Sequence, residues 1–72
     1  MKETKKAIVK DIIELTEWCY NNNKKKECIK TLENNGQNKY CSNELFKRTL
    51  LNKTKQVLDN IRYEILEKVI YA

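Results

Sequence analysis

Residues 5–20 carry their apolar side chains at a spacing that only a helix gathers onto one side. With Ile8 at the origin of a helical wheel, Val9, Ile12, Ile13, Leu15, Thr16, Cys19 and Tyr20 fall within roughly 160° of arc. Lys6, Lys10, Asp11, Glu14 and Glu17 fill the remainder, and Ala7 and Trp18 lie off the stripe on the Asp11 side. Thr4 stands where a hydroxyl can accept from a free first-turn amide, and Asn21-Asn22-Asn23 supplies a stop. No segment alternates with the period of two that a half-buried strand needs. The chain has no proline and a single glycine, Gly36. The expected fold class is all-α: a three- or four-helix bundle formed by one domain over 1–72.

The other elements follow from caps and shorter stripes. Asn23 is the expected N-cap of a second helix over about 24–34, whose apolar face is only Cys28, Ile29 and Leu32. So short a helix depends on tertiary packing. Gly36 suits the left-handed residue after its end, and a polar loop follows to residue 41. Ser42 or Asn43 opens a helix over 43–51 with Leu45, Phe46, Leu50 and Leu51 as its apolar cluster. From Thr54 to residue 71, Val57, Leu58, Ile61, Ile65 and Val69 form a stripe about 120° wide. The two stretches could be one long helix. Asn52 and Thr54 are cap residues rather than helix formers and favour a corner, with Thr54 as a fresh N-cap.

Composition limits function more than it suggests one. At 72 residues with 35% charged and 40% hydrophobic residues, the chain sits near the lower limit for a self-supporting core. Without histidine, a nucleophilic cysteine lacks its usual base and a metal its commonest ligand. The pairs Glu14/Glu17 and Glu64/Glu67 could do acid–base work, but on exposed helix faces they read as solvation. One glycine cannot build a phosphate loop. No enzyme activity, cofactor or metal is expected.

The cysteines at 19, 28 and 41 have neither the close spacing of a zinc site nor an even count. Cys19 and Cys28 lie on apolar faces and should be small core hydrophobes. Cys41, just before a helix start, is a candidate redox thiol. No apolar run approaches the ~18 residues of a membrane span, and the first ten residues lack the apolar stretch of a signal peptide. A reducing cytoplasm with free thiols and no membrane partner is the expectation.

Fifteen Lys+Arg against ten Asp+Glu leave +5. Lys, Asn, Ile and Tyr, all with A- and T-rich codons, make up 33 of 72 residues, so part of that charge reads as AT-rich coding. A basic corner remains at Lys47, Arg48, Lys53 and Lys55. If 43–51 and 54–71 form a helix-turn-helix, Lys55 and Gln56 open the helix that would enter a groove of DNA or RNA. The first of these helices lacks a small residue for close crossing, and the second carries a single Arg, Arg62, for base contact.

The last helix has a second apolar strip, Tyr63, Leu66 and Ile70, turned away from its main stripe. A helix apolar on two faces is central to a bundle or shared with another chain, and Trp18 is an aromatic of the kind that anchors interfaces. The expected function is a non-enzymatic protein-binding module: a small accessory, inhibitor or regulatory protein of a bacterium, phage or mobile element. Trp18, Tyr63, Leu66 and Ile70 would bind another protein or the chain's own copy as a homodimer. The alternative is a small helix-turn-helix-like nucleic-acid-binding regulator using Lys47, Arg48, Lys53, Lys55 and Gln56.

Overall fold

The computed structural model describes residues 4–38 and 42–72, so Cys41 lies outside the described residues. These form four helices and no strand: α1 (Lys5–Asn21), α2 (Lys25–Asn34), α3 (Asn43–Leu51) and α4 (Lys55–Glu64). The last runs without a break into a π-helical stretch, Ile65–Ile70. α1 is the hub. Its apolar arc is wide enough to touch α2, α3, α4 and the π stretch, whereas α3 leans on α1 and contacts the others little. Ile8, Val9, Ile12 and Cys19 of α1 meet Cys28, Leu32, Phe46, Leu50, Leu58, Ile61, Ile65 and Val69 in one buried cluster.

Caps set the boundaries. The hydroxyls of Thr4, Ser42 and Thr54 accept from the amides of Ala7, Leu45 and Val57, starting α1, α3 and α4. Thr54 makes 52–54 a corner between two helices rather than the middle of one. Gly36, at φ 72°, closes α2 with the paired bonds Gly36 N–H to Glu33 O (3.0 Å) and Gln37 N–H to Leu32 O (2.9 Å).

Asn23 departs from expectation. Its φ is 61°, and the Lys24 amide donates to Cys19 O at 2.9 Å, so Asn23 terminates α1 instead of capping α2. Asn tolerates the left-handed region, and a three-residue connection leaves no room for both roles. α2 begins at Lys25 with Lys24 in the cap position and no side-chain cap.

Three further expectations are corrected. Leu45 and Val57 are exposed, at 41% and 37%. Phe46 and Leu50, one turn apart, take the buried line of α3, and Val57 stands at the margin of the line held by Leu58 and Ile61. Gln37, expected in a polar loop, is buried; its amide donates to Thr49 Oγ1 at 2.8 Å and to Asn38 O at 3.0 Å. The end of the last helix is π-wound, marked by the Tyr71 amide donating to Leu66 O at 2.9 Å. Ile65 and Val69 stay in the core along this stretch.

Lysines close several carbonyl ends. Lys24 Nζ donates to Val69 O (2.8 Å), Lys53 Nζ to Gly36 O (3.2 Å) and Lys5 Nζ to Leu51 O (3.4 Å). Each positive charge sits where helix carbonyls run out, a favourable match to the dipole.

Candidate functional site

The π-wound end buries Ile65 and Val69 and carries Leu66 and Ile70 on the side toward α1. There they meet Trp18 and Leu15, one turn apart on α1. These four side chains, with Asp11, Glu14 and Arg62, line an open groove of about 340 Å³ between α1 and the last helix. Trp18 remains 41% exposed on a helix whose neighbouring face is fully buried. Leu66 and Ile70 are half-buried, and Ile70 also packs on the core. An indole presented this way offers a large rigid apolar surface with little rotamer freedom to lose on contact.

The polar end is built around Arg62. Its Nη1 donates to Asp11 Oδ2 at 2.9 Å and its Nη2 to Asp59 Oδ1 at 3.0 Å, bridging α4 to α1. Both carboxylates are nearly half exposed, so each ion pair contributes modestly, ~1 kcal/mol or less. The guanidinium is thereby held by two acids of its own chain. Beyond Arg62 and Leu66 the surface continues into a shallow hollow lined also by Lys55, Asp59 and Tyr63, the last 59% exposed. Trp18, Leu66 and Ile70 thus share one groove, and Tyr63 lies in the hollow next to it.

The basic corner is less concentrated than its sequence. Lys47, Arg48 and Gln56 are exposed, but Lys53 reaches back to Gly36 O and Lys55 lies in the hollow beside Asp59. Because α3 leans on α1, the close α3–α4 crossing of a helix-turn-helix is slight.

Cys19 and Cys28 are buried thiols hydrogen-bonded to each other across the α1–α2 turn. Burial raises the Cys19 pKa, an effect partly offset by the bond to Cys28, so the thiol form is favoured at neutral pH. The paired acids diverge. Glu14 faces the Trp18 groove, whereas Glu17 lines a separate hollow with Tyr20 and Phe46. Glu64 accepts from Asn35 (2.8 Å), Asn60 (2.9 Å) and Lys68 (3.0 Å), and these bonds, Asn35 first, lower its pKa. Among the described residues no three of Cys, Asp and Glu are grouped as metal ligands would be, and no helix is long and apolar enough to cross a membrane.

The sequence alone left Asp11, Glu14, Leu15 and Arg62 out of the site. Trp18 is seven residues from Asp11 and three from Leu15, so one helix face could have suggested two of them. Nothing local ties Arg62 to Asp11, 51 residues away.

Fold and groove together define a class: a small four-helix domain with an aromatic-walled apolar groove along its central helix. No protein-family model, curated protein or solved structure matches the chain.

Proposed function

We propose that this chain is a non-enzymatic protein-binding module, an accessory, inhibitor or regulatory protein of a reducing cytoplasm that acts through a helical surface. One observation carries the reading. Trp18 on α1 and Leu66 and Ile70 on the last helix, distant in sequence, wall a single open groove, with Ile70 also touching the core. Exposed aromatic and aliphatic side chains gathered in a concavity are the usual anchors of protein interfaces.

The nucleic-acid reading has less support. Exposed Lys47 and Arg48 favour it, but Lys53 is committed within the fold and α3 and α4 hardly cross.

Leu66→Glu, with affinity capture from the native host and circular dichroism, tests the proposal. Leu66 is half-buried at the groove wall, so the variant should stay helical while its carboxylate blocks an apolar partner. A partner retained by wild type and lost by a folded Leu66→Glu agrees with the reading. Unchanged capture by the folded variant counts against it, and loss of helicity returns Leu66 to the core.

A further inference from the structure

We propose that the occupant of the Trp18 groove is a basic amphipathic helix from another protein, with apolar anchors one turn apart flanked by Lys or Arg. This rests on the protein-binding reading and names the partner's chemistry. The argument is charge complementarity. The chain carries +5 overall, yet the groove's polar side is acidic. Asp11 and Glu14 line it, and Arg62, the basic residue lining it, is already held between Asp11 and Asp59. Asp11 and Asp59 pair with the one guanidinium and Glu14 lines the same groove, beside an apolar wall of Leu15, Trp18, Leu66 and Ile70.

The trough runs along two packed helices, the shape that receives a helix through residues spaced i, i+3 or i+4. Cations flanking those residues would meet the Glu14 carboxylate, which lines the groove beside the Asp11–Arg62 pair. The arrangement selects against two other occupants. A second copy docking groove to groove would bring together two patches of the same net negative sign, with no added cation to meet Glu14. A phosphate backbone would meet the same acids. Trp18 is the only tryptophan in the chain, so its fluorescence reports the groove directly.

The test is selection of binders to the purified protein from a random displayed library of 18-residue helical peptides. Expected winners carry apolar residues at i, i+4 flanked by Lys or Arg and shift the Trp18 emission to the blue. They should lose roughly fivefold in affinity on Glu14→Lys and lose binding on Leu66→Glu. Winners that are neutral or acidic but still shift Trp18 and need Leu66 overturn the charge assignment and leave the protein-binding reading standing. Winners indifferent to Leu66→Glu overturn both. If no peptide is enriched, the assignment fails. Sedimentation then shows whether a Leu66-dependent homodimer fills the groove, which preserves the protein-binding reading alone.

Discussion

Ile12 and Ile61 occupy the centres of the two longest apolar stripes, and both are completely buried. Each touches side chains from other elements, so truncation would open a cavity that the neighbours cannot fully close. Ile12→Ala and Ile61→Ala are each expected to cost about 2–5 kcal/mol, against a total of roughly 4–11 kcal/mol for a chain of this size. Urea unfolding followed by circular dichroism measures it, and a midpoint equal to wild type in either variant contradicts the buried faces described above. Thr16, beside Ile12, is tolerated in the core because its hydroxyl donates to Ile12 O at 2.8 Å, leaving no polar atom unpaired. Trp18 illustrates the opposite case: a large apolar residue one position before the buried Cys19, yet turned outward to the groove.

At the scale of the element, the helix ends hold most of the information. Thr4, Ser42 and Thr54 act through a bond three residues ahead, and Gly36 acts through its own backbone. A Cβ at Gly36 would meet no atom within 4 Å, so Gly36→Ala is a test of conformation free of any clash. It is expected to destabilise by about 1 kcal/mol, the cost of holding an L-residue at positive φ, and Gly36→Asn by less. Thermal melts should rank Gly36 above Asn above Ala; an Ala variant as stable as wild type would show that the left-handed turn is not maintained in solution. The π stretch belongs to this scale too. Its six residues place Ile65 and Val69 in the core and Leu66 and Ile70 in the groove wall, so one stretch serves both.

Across the whole molecule, polar clasps join helices that the core alone brings together. Asn35 at the end of α2, with Asn60 and Glu64 on α4, forms a network closed by Lys68. These donors favour the Glu64 carboxylate and lower its pKa from the ordinary 4.5. The stability this contributes is complete above pH 4.5 and is lost as pH falls through the depressed value. Glu64→Gln should therefore be less stable than wild type at pH 7. The difference should shrink once pH drops below 4.5 and vanish in stronger acid. Melting temperatures of both proteins from pH 7 to pH 2 check the sign; a gap that widens on acidification contradicts it.

Sequence by itself determined what depends on residues within about a turn of one another. The all-helical class, the α1 stripe, the caps Thr4, Ser42 and Thr54, the Gly36 end and the buried Cys19 and Cys28 were legible. Each follows from a spacing of three or four residues or from one residue's backbone preference. Tertiary structure decided the rest. Leu45 outside while Phe46 is inside, the burial of Gln37 against Thr49, and the Arg62 bridge to Asp11 all depend on neighbours far along the chain. The groove is of this kind. Its apolar members could be named from two separate helix faces, but that three of them share a wall follows only from how α4 and its π-wound end lie along α1.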